Sequence, residues 1–217
     1  MDDFGLRPVF DWQRMKLSTS CTWVWVVLLV AGQICNSSQA AALLRGPYLQ
    51  IPTPESITIR WRTDSPTESV VSYGLQTNDL PFSASDLTPT NEHIVRLSGL
   101  TPATTYYYSI GSTGQTFAAG IDYRFVTGPA AGNAGPTRVW AFGDFGGISY
   151  GLESGNSNYV NGELAVRDSY VQFNGTNRTD VWLPLGDMAY ENGTDGEFQT
   201  NFFDAFAGIL LQTAPWP

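Results

Sequence analysis

Histidine and lysine are almost missing from this chain. Across 217 residues there is one of each, His93 and Lys16, and the formal net charge is -9. Nucleic acids are usually held by a basic face, and with none visible they are excluded as partners. Cysteine is just as scarce. Cys21 and Cys35 both fall within the first forty residues, so the remainder has no disulfide whatever its compartment. Long apolar runs are missing too. The apolar core at Trp23–Ala31 is shorter than the roughly 20 residues of an ordinary membrane span, so no stable span is expected. What the chain does have is apolar and aromatic content, 42% and 13%, too much for a disordered polypeptide.

The first forty residues stand apart. From Met15 the sequence runs "MKLSTSCTWVWVVLLVAGQICNSSQAA". One basic residue, an apolar core and then small residues at Ser38, Ala40 and Ala41 form the layout of a secretory signal peptide, with cleavage near Ala40. Residues 1–40 are therefore read as a signal peptide with an upstream extension, and the protein as secreted or extracellular. Three acceptor triplets for N-glycans agree with that route: Asn174-Gly-Thr, Asn177-Arg-Thr and Asn192-Gly-Thr.

Residues 41–128 read as all-β. "SITIRWRT" alternates, with Ile57, Ile59 and Trp61 on one side and Thr58, Arg60 and Arg62 on the other, which predicts a half-buried strand with a wet face. "HIVRLSGL", "TTYYYSIG" and "DYRFVT" follow, parted by Pro, Gly, Asn, Asp and Ser. Short strands at this spacing predict a β-sandwich. In "GLTPATTYYYSI", Leu100, Pro102, Thr104 and Tyr106 take every second position. This resembles the tyrosine corner of fibronectin type III domains and related sandwiches. His93, alone at a strand start, is read as structural.

Residues 129–137 form an uncharged linker of Pro, Ala, Gly and Asn. In 138–217 the pattern changes. "RVWAFGD" and "DVWLPLGD" are near-continuous apolar strands, each followed by a predicted helix, over 158–173 and 196–212. Such strands imply a parallel sheet covered on both faces. The fold class is thus mainly β plus α/β.

Both strands end on Gly-Asp, at Gly143-Asp144 and Gly186-Asp187. Parallel sheets gather ligands outside the carboxyl ends of their strands. If the strands are neighbours, Asp144 and Asp187 converge, and two anions there call for a cation between them. Hard metals prefer oxygen ligands. Tyr190, three residues past Asp187, returns to the same place with a phenolate that suits iron(III).

"GDFGG" and "GDMAY" resemble the first two metal motifs of the purple acid phosphatases, in the calcineurin-like metallophosphoesterase group. The N-terminal sandwich resembles the domain ahead of the catalytic domain in larger members. The resemblance spans Arg45 to Pro217. It implies a dinuclear centre of iron(III) with zinc, manganese or iron(II). Asp144 would bind iron, Asp187 would bridge both metals and Tyr190 would bind iron and give a purple colour. It also implies hydrolysis of phosphate monoesters by a metal-bound hydroxide.

The chain departs from that pattern after Tyr190, where no histidine occurs. The family's Gly-Asn-His motif and two later His motifs are not present, and "LLQTAPWP" resembles the segment just ahead of the first. The expectation is therefore the N-terminal half of an acid phosphatase, inactive by itself. The alternative is a non-catalytic secreted binding module with a remnant phosphatase segment, while a preference for phosphodiesters or nucleotides would lie in loops this sequence lacks. Of the three triplets, Asn174 or Asn177 is expected to carry a glycan before Asn192, which sits two residues past Tyr190.

Overall fold

The computed structural model describes residues 40–133, 135–145, 162–190 and 192–216. The signal peptide lies outside the described residues. Among those described, no helix is long and apolar enough to cross a membrane.

Six antiparallel strands make up the first region: β1 (Leu43–Gln50), β2 (Ser56–Gly74), β3 (Phe82–Ser98), β4 (Thr105–Gly111), β5 (Thr116–Ala118) and β6 (Arg124–Val126). β2 is far longer than "SITIRWRT" predicts. β3 accompanies it along nearly its whole length, while its other edge pairs first with β1 and then, at Val70–Gly74, with β4. Register shifts between Arg62 and Ser69 mark the change of partner. Such irregularities bend and twist a strand, which lets one segment serve two layers.

Ile57, Ile59 and Trp61 are buried as the alternation requires, and they join Leu97, Tyr108, Ile110 and Phe125 in one core. Tyr106 makes the predicted corner: its hydroxyl accepts from the Thr101 amide at 3.1 Å. His93 is fully buried and stacks on Trp61 with centroids 4.6 Å apart. Its ring nitrogens meet the hydroxyls of Thr63 and Ser69, each at 2.8 Å. Burial pushes its pKa down, so the neutral ring is favoured. It is a core residue.

The second region contains β7 (Val139–Phe142), α1 (Gly162–Asn174), β8 (Val181–Pro184), α2 (Asp195–Phe198) and α3 (Ala207–Leu210). β7 and β8 pair in parallel, Val139 beside Val181 through Phe142 beside Pro184. A third position forms beside β8, where the Trp216 amide donates to the Trp182 carbonyl at 2.8 Å. Trp140 stacks on Tyr170 of α1 and, with Trp182, Phe202, Phe206 and Leu210, makes a second core.

Three expectations need correction. The helix read over 196–212 is not one α-helix: α2 passes into a π-helical stretch, Gln199–Asp204, before α3. Phe202 and Phe206 pack against Trp182 in consequence, and Phe203 against Tyr48 of β1. Second, among the described residues the parallel sheet is covered on one face. Trp140 and Trp182 are buried, whereas Val139 and Ala141, on the opposite face, are exposed. Two strands present too few apolar positions to hold helices on both sides.

The third correction concerns the wet face of β2. Arg60 and Arg62 pair across the ladder with Tyr48 and Arg45 of β1, and the second region docks here. Tyr48 belongs to the second core. Arg45 is buried, with its guanidinium 3.9 Å over the Phe203 ring. It donates to Gln199 at 2.7 Å and to Asp195 at 2.9 Å, and Arg62 reaches the same Asp195 at 2.5 Å. Arginine stems cover apolar surface while their heads pair with acids, so a polar pattern marks a joint rather than solvent.

Candidate metal centre

The two Gly-Asp ends meet because their strands are parallel neighbours in register. Past the ladder, the Leu185 amide donates to the Phe142 carbonyl at 2.9 Å, Asp144 N–H to Gly186 at 3.1 Å and Phe145 N–H to Asp187 at 3.2 Å. The two turns are laced together by main chain. The glycines serve different ends. Gly186 has φ 106°, which L side chains rarely adopt. Gly143 is needed for closeness, since a Cβ there would lie 3.1 Å from the Leu185 Cβ.

Asp144 and Asp187 both adopt left-handed backbone, with φ 58° and 55°. Aspartate tolerates this better than most residues, yet each such position costs on the order of 1 kcal/mol and tends to mark a functional site. Both side chains are exposed at the carboxyl edge of the sheet. The Tyr190 hydroxyl donates to Asp144 Oδ1 at 2.5 Å. Hydrogen bonds to Asp144 and then Asp187 push the phenol well above its usual pKa range. Asp144 is thus brought to the Asp187–Tyr190 turn from more than forty residues away, and the Tyr190 hydroxyl bonds to it.

This donor set fits a hard cation. It offers carboxylate and phenol oxygens alone, on backbone already committed to an unfavourable conformation. Asp144, Asp187 and Tyr190 would hold such a cation, whose charge would favour the phenolate over the phenol. Among the described residues no group of three or more His, Cys, Asp and Glu side chains is placed to hold a metal ion, here or elsewhere; this edge offers two carboxylates and a phenol. His93 is locked in the other core.

The loop after Tyr190 is held from the first region. Thr194 caps α2 in a reciprocal box with Glu197, whose carboxylate also accepts from the Asn192 amide at 3.2 Å. Asp195, the next residue, is the one gripped by Arg45 and Arg62, and they hold its pKa down at about 2. Sequence reasoning missed Arg45, Arg62 and Asp195; the signal was two arginines alternating with apolar residues on β2.

The glycan triplets differ in setting. Asn174 ends α1 and is buried, while Asn177 and Asn192 are exposed.

Residues 45–127 match the family model described as Purple acid Phosphatase, N-terminal domain. No curated protein sequence matches the chain. Among solved structures, purple acid phosphatase PPD1 from yellow lupin (Lupinus luteus) seeds aligns over 79% of this chain and 34% of its own, at 21% identity and a TM-score of 0.59. PhoD aligns over 82% of this chain and 38% of its own, at 12% identity and a TM-score of 0.53. The chain thus spans little more than a third of either relative, and at these identities the likeness is one of fold. Over the sandwich the chain is thus similar in sequence to the purple acid phosphatase N-terminal domain, and beyond it the likeness is one of fold.

Proposed function

We propose that this chain is the N-terminal portion of an exported acid phosphatase that hydrolyses phosphate monoesters at a dinuclear metal centre. The observation that carries the reading is the meeting of Asp144, Asp187 and Tyr190 at the carboxyl edge of a parallel sheet. Asp144 and Tyr190 would hold iron(III), and Asp187 would lie between it and zinc, manganese or iron(II). When bound, such a pair supplies an activated water and positive charge facing the phosphoryl oxygens.

The chain's own contribution is positional. The laced turns fix both carboxylates, and the Arg45–Asp195–Arg62 joint fixes the loop that follows Tyr190. Tyr190 gives up its proton on metal uptake. The sequence has no histidine besides His93, which is held in the sandwich, so this reading expects residues 41–217 alone to bind no stoichiometric metal pair and to turn over no substrate. The absence of a histidine near the site also supports a second reading, a secreted binding module with a remnant metal edge.

Turnover of p-nitrophenyl phosphate separates the two. Under the first reading, residues 41–217 are inactive, and a version extended through Gly-Asn-His and the later His motifs is active and coloured. An extended protein with intact fold, no colour and no turnover favours the binding module. Metal-dependent turnover by residues 41–217, abolished by Asp187→Asn, contradicts the assignment of the site.

A further inference from the structure

A cleft of about 580 Å³ separates the sandwich from the end of α1, within the range of ligand-holding pockets. Tyr107 and Arg124 line one wall, Asn174, Asn177 and Arg178 another, and Gln212 lies among the rest. Its lining contains no carboxylate, in a chain of net charge -9. Arg178 is ion-paired with Asp180. Asn174 is 8% exposed, and its Oδ1 is buried without a protein partner. A buried acceptor of this kind calls for a hydroxyl or N–H from something that enters.

We propose that Asn177 carries an N-linked glycan whose first sugars lie in this cleft, and that Asn174 stays bare. The amide hydrogens decide between the two. Asn174 Nδ2 spends itself on the Asn177 carbonyl at 2.6 Å and on Thr179 Oγ1 at 3.4 Å. A sugar on that nitrogen replaces one of its two hydrogens, and with it one of these two bonds. Asn177 is exposed on the cleft rim and donates once, to the Asn174 carbonyl at 2.7 Å. A glycosylated amide keeps one N–H, enough for that bond. The triplet's Thr179 hydroxyl lies 2.5 Å from the Tyr170 hydroxyl, so the turn forms over the helix whether or not Asn177 is modified. Sugar hydroxyls supply donors to Asn174 Oδ1 and acceptors to Arg124, and Tyr107 offers an aromatic wall. The glycan then acts as a wedge that bridges sandwich and helix.

The inference rests on export of the chain, and the experiment reads export separately. The chain is expressed from its own start in a glycosylating eukaryotic host, and the medium is assayed for it. Glycopeptide mapping of the secreted, folded product should find sugar on Asn177 and none on Asn174. Release by a glycan amidase from the native protein should be roughly tenfold slower than from denatured chain, the protection that about one good contact confers. Arg124→Ala, with unchanged circular dichroism, should remove most of that protection. Sugar on Asn174, a bare Asn177 beside a modified Asn192, or native release as fast as from denatured chain overturns the proposal while export stands. A chain that stays out of the medium and carries no sugar overturns the export reading and this one together.

Discussion

The two regions solve the problem of burial in opposite ways. In the sandwich, β2 contributes to both layers, and the side chains pointing inward meet one another; even the lone histidine is stacked and bonded at both nitrogens. In the second region a two-stranded sheet hides one face under aromatics and leaves Val139 and Ala141 exposed on the other. The first region is built for stability. Left-handed backbone on non-glycine residues occurs in both, at Ile51 and Ala103 in the first region and at Asp144 and Asp187 in the second, but in the second the two residues carry carboxylates that converge. The difference teaches where to look for chemistry: where left-handed backbone brings titratable side chains to one place.

The comparison breaks most sharply at its cores. Trp61→Ala removes a fully buried indole and the ring on which His93 stacks, and should cost about 3–5 kcal/mol, read as a lowered midpoint in denaturant. Melting of the whole chain, rather than of the second region alone, is the expected result, because the second region leans on β1 and β2. A change below about 1 kcal/mol would show that the sandwich does not carry the fold.

Next in size is the joint. Arg45→Ala removes hydrogen bonds to Asp195 and Gln199 and the contact with Phe203, and should cost about 2 kcal/mol. Hydrogen exchange should rise in α2 and the loop after Tyr190, and little in β4 or β6. The pH dependence has a definite sign. Asp195 has a folded-state pKa of about 2, below its unfolded value near 4. The contribution is present above about pH 4 and is lost as pH falls toward 2. Proteolysis of the 192–199 segment should therefore be flat through mildly acidic pH and rise only below about pH 4. A rise at pH 5 to 6 would remove Asp195 from the account. His93 behaves differently: its pKa is depressed by burial, so sandwich stability should begin to fall below about pH 6.5.

Legibility followed the same division. Alternation in "SITIRWRT" found the buried face of β2 because a sandwich core enforces a period of two, and the spacing around Tyr106 found its corner. The pair Gly143-Asp144 and Gly186-Asp187 was readable because apolar parallel strands end in one place. Arg60 and Arg62 were misread as solvent-facing, since a sequence pattern separates polar from apolar but not water from a docking arginine partner. The π-helical stretch left no mark in the sequence either, because it arises from fitting Phe202, Phe203 and Phe206 to two surfaces at once.

The smallest effect is at the site itself and has the opposite sign. Asp187→Asn keeps a side chain that accepts left-handed backbone and removes one of two neighbouring negative charges. Stability should rise slightly, by up to about 1 kcal/mol, while metal uptake falls. A loss of stability as large as that of Arg45→Ala would mean that the aspartate is there for the fold.

The central claim is that Asp144, Asp187 and Tyr190 form one hard-metal edge, and iron(III) titration of residues 41–217, followed by visible absorption, tests it most directly. The account predicts a tyrosinate-to-iron band that saturates at no more than one ion per chain, vanishes in Tyr190→Phe and is weakened in Asp144→Asn, with no hydrolysis of p-nitrophenyl phosphate. A titration without any band, or a band that persists in Tyr190→Phe, would contradict it.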